Sequence, residues 1–151
     1  MNVTKLPMTS RLASSHCAAD LLWTDTCVPA GFPSPAQDYL EERIDLNAVL
    51  IRNPTATFLA RIAGESMRDL GMFDGDLIMV DRSLTPAAGD VVLAWVQGGF
   101  TVKTLRLRGR QIVLLPANPG YPEMPLREDE GDRIWGVVTH VIRSFRKTPA
   151  A

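Results

Sequence analysis

Cysteine is nearly absent from this chain, which has two in 151 residues, Cys17 and Cys27. They show neither the CxxC nor the Cys/His spacing of a zinc or redox site, so no metal and no cofactor is implied, and a reducing compartment is the simpler reading. Long hydrophobic runs are lacking as well. The run from Val91 to Val96 falls far short of the roughly 20 residues that cross a bilayer. The N-terminus alternates polar and small residues where a signal peptide would carry a continuous apolar core. A cytoplasmic protein without a membrane anchor is expected. Charge of one sign is missing too: 16 Lys plus Arg stand against 17 Asp plus Glu, a formal charge of −1. That excludes the basic excess of a protein that grips phosphate backbones, and no direct sequence-specific DNA binding is expected.

The length fits one ordinary domain, which at this size buries about 68–70% of its unfolded surface without help from a disulfide or metal. Residues 1–33 are rich in Ser, Thr, Ala and Pro, with isolated apolar residues at Leu21, Leu22 and Trp23, and read as an extended arm. A helix-start signal follows, with Ser34 as N-cap, Pro35 at the first helical position and Gln37 three residues after the cap. Ala36, Tyr39, Leu40 and Ile44 then give one apolar face to a helix expected to end near Asp45 to Asn47.

From Thr55 onward the pattern changes to short β-branched and aliphatic runs punctuated by Gly, Pro and Asp. Strands are expected over 57–62, 76–81, 90–96, 100–107, 111–116 and 133–144, with Gln97-Gly98-Gly99 as a hairpin turn. Pro54, Pro86, Pro116, Pro119, Pro122 and Pro125 fall between the runs, where a missing N–H harms no ladder. The fold class is mainly β: a compact antiparallel β domain with short helices and an extended N-terminal arm.

Three features could carry chemistry, and each has a plain structural reading beside the functional one. Ser66, in Gly64-Glu65-Ser66-Met67, could cap a helical turn, with Asp69 completing a Ser-x-x-Asp box. A serine at a helix start is also where free backbone N–H groups gather, and these can hold an oxyanion. Lys103 shares its strand face with Leu105 and Leu107, so it points to the apolar side, where desolvation would depress its pKa from about 10.4 and leave an amine able to accept a proton. The alternative is an edge-strand lysine that snorkels to water. Val28-Pro29-Ala30-Gly31-Phe32-Pro33 is either an ordinary linker or a peptide bond, Ala30–Gly31, that a narrow cleft can approach.

Other residues read as structural. His140 shares a strand face with Val138 and Ile142 and is expected to pack, while His16 sits in the arm without a partner. Asp74-Gly75-Asp76 reads as a strand-entry turn, and Arg143, Arg146 and Lys147 as a solvated basic end.

Several segments together resemble the LexA-like self-cleaving Ser-Lys peptidases, peptidase S24, and within them the UmuD type of SOS mutagenesis. These are Gly31-Phe32-Pro33-Ser34-Pro35-Ala36, Glu42-Arg43-Ile44-Asp45-Leu46-Asn47, Gly64-Glu65-Ser66-Met67, Asp74-Gly75-Asp76-Leu77, Phe100-Thr101-Val102-Lys103 and Gly136-Val137-Val138-Thr139-His140-Val141. They cover nearly everything from Gly31 to Ile142, in order, with Ser66 and Lys103 separated by 37.

The resemblance implies the LexA C-terminal fold, with residues 1–30 as an arm removed by self-cleavage and 31–151 as the peptidase domain. It implies Ser66 as nucleophile, Lys103 as general base, the backbone N–H groups of Glu65 and Ser66 as oxyanion donors, and Ala30–Gly31 as the bond cut. It further implies a homodimer, stimulation by a RecA filament on single-stranded DNA, and a trimmed form that joins the UmuC polymerase in translesion synthesis. The Ala-Gly bond is the LexA dipeptide, where the common UmuD type has Cys-Gly. A LexA-type repressor would need a helix-turn-helix ahead of that bond, and residues 1–30 lack the periodicity for one. The alternatives are a non-enzymatic module regulating a DNA-repair polymerase, a LexA-type repressor fragment, or a signal-peptidase relative, which the missing anchor disfavours.

Overall fold

The computed structural model describes residues 2–5, 20–24, 28, 30–32 and 41–146. The chain divides into two units, Met1–Met8 with Asn53–Ala151, and Thr9–Arg52.

In the first unit eight strands form one antiparallel sheet. They are β1 (Asn2–Lys5), β4 (Thr57–Ala63), β5 (Leu77–Asp81), β6 (Val91–Val96), β7 (Gly99–Arg108), β8 (Gln111–Leu115), β9 (Met124–Pro125) and β10 (Arg133–Ile142), in the order β1-β4-β5-β10-β6-β7-β8-β9. The expected mainly β class holds. The six strands read from the sequence appear within two residues of their expected ends, because β-branched runs between Gly and Pro breaks leave the chain little else to form.

β6 and β7 meet through a two-residue turn, Gln97 at φ 49 and Gly98 at φ 82, with Val96 opposite Gly99. Two successive positive φ values define the type I′ turn, whose twist matches that of paired strands. Both strands are buried on both faces: Leu93 and Val102 join one apolar cluster with Ala60, Ile62 and Val80, while Val92, Ala94 and Leu105 join another with Leu114 and Leu126. β10 lies between β5 and β6, with irregularities at Ile134/Gly136 and Val138/His140. At Gly136 a Cβ would lie 2.7 Å from Val80 Cγ1 and 3.0 Å from the Asp81 carbonyl oxygen, so only glycine lets β10 come this close to β5.

The second unit corrects two expectations. Residues 33–40 lie outside the described residues, but β3 (Glu41–Asp45) is extended where a helix was expected. It pairs antiparallel with β2 (Asp20–Thr24), Leu21 opposite Ile44 and Trp23 opposite Glu42. Backbone pairing with β2 overrides the helical spacing that included Ile44. Asp45 then starts a helix where one was expected to stop: its carboxylate accepts from Asn47 N–H at 2.9 Å and caps α1 (Leu46–Leu50). Strands β1 and β2 both fall in what reads from sequence as an arm without periodicity. No helix among the described residues is long and apolar enough to cross a membrane.

Candidate active site

β4 ends at Ala63 and the chain turns sharply at Gly64, whose φ of 94 suits glycine. The turn is tied down on one side by Gly64 N–H donating to Asp74 Oδ1 (2.7 Å) and by Ile62 exchanging bonds with the 75–76 backbone, Ile62 N–H to Asp76 O and Gly75 N–H to Ile62 O, each 2.8 Å. On the other side the 117–118 segment straps it: Ala117 N–H donates to Ser66 O (2.8 Å), Asp69 N–H to Ala117 O (2.8 Å), and the Asn118 side chain to Glu65 O (2.9 Å). The carbonyls of Glu65 and Ser66 are thereby engaged. Their N–H groups donate no hydrogen bond among the described residues.

A short 3-10 turn, Arg68–Leu70, follows, and Met67 holds its N-cap position without a side-chain hydrogen bond. Ser66 is therefore not the cap that its Ser-x-x-Asp spacing suggests. Asp69 pairs with Arg68 instead, at 3.4 Å, and the Ser66 hydroxyl, fully buried, lies 3.0 Å from Lys103 Nζ.

Lys103 is 3% exposed, on a strand flanked by β6 and β8. Snorkelling from an edge is excluded. The face read from sequence is apolar only in part: Leu105 is buried, but Leu107 is 53% exposed where the strand leaves the core. Lys103 Nζ has three partners, Ser66 Oγ, Thr101 Oγ1 at 2.8 Å and the Val102 carbonyl at 3.1 Å. All are neutral, so no opposite charge among these partners offsets the cost of burying an ammonium, and desolvation lowers the pKa from 10.5 to about 8. At pH 7 this raises the neutral fraction about 300-fold over an ordinary lysine, to roughly one-tenth.

The partner set also bears on where the lone pair of a neutral amine points. A neutral amine has two hydrogens and one lone pair. Thr101 Oγ1 and the Val102 carbonyl both accept from Nζ, and with those two acceptors taking the two hydrogens the lone pair is left for the Ser66 hydroxyl. Thr101 is not among the candidate residues that the sequence motifs point to. Its signal was parity: a polar residue two positions from Lys103 on the same strand face, buried to 8% exposure. A groove of about 330 Å³, lined by Gly98, Thr101, Lys103, Tyr121 and Met124 among others, opens beside the amine.

Ala30 and Gly31 belong to the second unit, in an exposed bend flanked by exposed Val28 and Phe32, with open space around Gly31 Cα. Cys17, Cys27 and His16 lie outside the described residues. His140 is half-buried beside the β10 irregularity, with Nδ1 3.0 Å from Thr139 Oγ1.

Arg143 and Arg146 are exposed, as expected of the basic end, and Lys147 lies outside the described residues, but Arg143 is tied to the body of the domain. Its guanidinium donates to both carboxylate oxygens of buried Asp76 and to Gly71 O (2.6 Å), with its carbon 4.4 Å above the Phe73 ring. β10 brings it across the sheet to the turns that follow Ser66, a contact 67 residues long-range that no local pattern encodes. Arg143 holds the Asp76 carboxyl below the usual carboxylate range. Asp74-Gly75-Asp76 is the expected turn, with Gly75 at φ 87 and Asp76 accepting from Phe73 N–H. No cluster of potential metal ligands occurs among the described residues.

Comparison with known proteins gives a consistent picture. The family profile described as Peptidase S24-like matches residues 22–139. The chain is 51% identical over 127 residues to Protein SamA of Salmonella typhimurium, covering 84% of this chain and 87% of that one. It is 48% identical over 126 residues to Protein ImpA of Escherichia coli, covering 83% and 85%. Protein MucA of Escherichia coli is 46% identical over 114 residues, covering 75% and 77%.

Proposed function

The chain belongs to the peptidase S24-like family, and on that premise we propose that it is a serine endopeptidase that cuts its own Ala30–Gly31 bond, with Ser66 as nucleophile and Lys103 as general base. The observation that carries this reading is the buried 3.0 Å contact between Ser66 Oγ and an amine whose other partners are neutral acceptors.

Neutral Lys103 removes the Ser66 hydroxyl proton as Oγ attacks the Ala30 carbonyl carbon. The resulting oxyanion is held by the N–H groups of Glu65 and Ser66, which donate to no other group among the described residues, in a turn strapped through Ala117 and Asn118. Collapse breaks the Ala30–Gly31 bond, and the Lys103 ammonium returns its proton to the Gly31 amine. Water, deprotonated by Lys103, then hydrolyses the ester between Ser66 and Ala30. One amine thus does the work of a His/Asp pair.

The resemblance to the UmuD type supports the wider role. Residues 1–30 are the removable arm and 31–151 the retained domain. The protein works in the cytoplasm as a homodimer, a RecA filament on single-stranded DNA stimulates the cut, and the trimmed form serves a UmuC-type polymerase in SOS translesion synthesis. Substrate and enzyme share a chain, so cutting is a single event per molecule and control is conformational.

The test is incubation of the purified chain at alkaline pH, alone and with activated RecA, followed by intact-mass measurement. A product beginning at Gly31, absent in Ser66→Ala and Lys103→Ala, is expected. A new terminus elsewhere refutes the bond assignment, and cleavage persisting in either variant refutes the dyad.

A further inference from the structure

β4 leads to Ser66, and both of its edges are occupied, one by β5 and the other by β1. β1 runs antiparallel to β4 with Asn2 opposite Ala63 and Lys5 opposite Ala60. Its first residue therefore lies beside the last residue of β4, just before the turn that presents the serine. The same short strand also comes within 8 Å (Cα–Cα) of β7, the strand that carries Lys103, without joining a ladder with it. Residues 2–5 thus lie against both strands that deliver the dyad, and the dyad itself is buried, Ser66 at 0% and Lys103 at 3% exposure.

A peptide bond can be attacked by Ser66 only if its backbone passes close to the serine turn in a held, extended form. In a β-rich domain the ready means of holding such a peptide is a ladder to a strand edge. The β4 edge that ends at the serine turn is that edge, and it is already filled. A four-residue strand at a sheet edge is among the least stable parts of a sheet, so it can leave.

We propose that residues 2–5 are an internal competitor for the scissile segment: they hold the β4 edge, and the 28–32 segment reaches Ser66 by displacing them. The inference rests on the self-cleavage reading and deepens it, since it makes exchange of two segments of one arm the step that limits cutting. Both segments lie ahead of or across the cut bond, so the competitor is removed with the arm once the reaction is over.

The test uses the full chain carrying Val3→Pro and Thr4→Pro, which removes backbone donors from β1 whichever of the two residues donates to β4. In the Ser66→Ala background, amide exchange of the β4 residues facing β1 is expected to accelerate while β5, β6 and β7 stay protected, which also establishes that the variant is folded. Unchanged protection at β4 overturns the proposal. With Ser66 present, self-cleavage is expected to run about five-fold faster or more, the scale of losing one hydrogen bond from a short ladder. Cleavage at the parental rate, with the β4 amides exposed, also overturns it. If the chain does not cut itself at all, the self-cleavage reading fails separately. A synthetic peptide spanning residues 26–35 then decides the competition: tighter binding to the proline variant than to the Ser66→Ala parent supports it, and equal binding sinks it.

Discussion

Lys103 costs the folded chain stability in a way that depends on pH, and the dependence can be worked out from its surroundings. The unfolded chain has an ordinary lysine at 10.5, whereas burial lowers the folded value to about 8. Between those values the unfolded state keeps a proton that the folded state has lost, so stability rises with pH by about 1.4 kcal/mol per unit. Below pH 8 both states are charged and the full penalty of burying an ammonium applies, about 3 kcal/mol. Above 10.5 both are neutral and the penalty is gone. Lys103→Met removes the ionisable group. It also leaves Thr101 Oγ1 and Val102 O without a donor, but that cost does not change with pH. The difference in unfolding free energy between the lysine and methionine chains, measured by urea denaturation in the Ser66→Ala background, should therefore move by about 3 kcal/mol in favour of lysine from pH 7 to 11. A difference that stays flat across that range would show that the amine is not desolvated, and with it the case for Lys103 as base would fall.

The same titration governs rate: self-cleavage should rise about ten-fold per pH unit below 7 and level off above about 9, a profile read by following intact mass over time. Thr101→Val removes one of the two acceptors that aim the amine, so the plateau rate should fall by about ten-fold, and the midpoint of the pH profile should move down because the ammonium loses more than the amine does. Arg143→Ala strands the buried Asp76 carboxylate and frees Gly71 O. The melting temperature should drop by roughly 5 °C or more, and the destabilisation should shrink as pH falls through the carboxylate range, since the pair stabilises only while Asp76 is ionised. Gly136→Ala forces a methyl group against Val80 and Asp81, so urea unfolding should show a loss of roughly 1–3 kcal/mol without a change in where β6 and β7 pair.

How far the site is legible from the chain differs residue by residue. Lys103 was placed inward by the parity of its strand, and the conclusion holds although one supporting neighbour, Leu107, is exposed. The reason is the two-sided burial of β7, which no alternation could show: Thr101, Val102 and Lys103 are buried in succession. The capping box at Ser66 and Asp69 was a sound local pattern overruled by the strap through Ala117 and Asn118, which come from a proline-rich break between strands. Arg143 looked like a tail because its partner is distant in sequence and close only across the sheet. The helix expected up to Asp45 gave way at Glu41–Asp45 to pairing with Asp20–Thr24, again a partner that only folding supplies.

What the chain determined by itself is what depends on near neighbours: strand runs between Gly and Pro, the Gln97-Gly98 turn and the side of its strand on which Lys103 lies. Side-chain alternation and turn preference act over two to four residues and need no partner. What tertiary structure decided is which groups meet. The 37-position separation of Ser66 and Lys103 carries no information about a 3.0 Å contact until β4 and β7 are placed in one sheet. The lowered pKa is likewise a property of the packed interior and not of lysine.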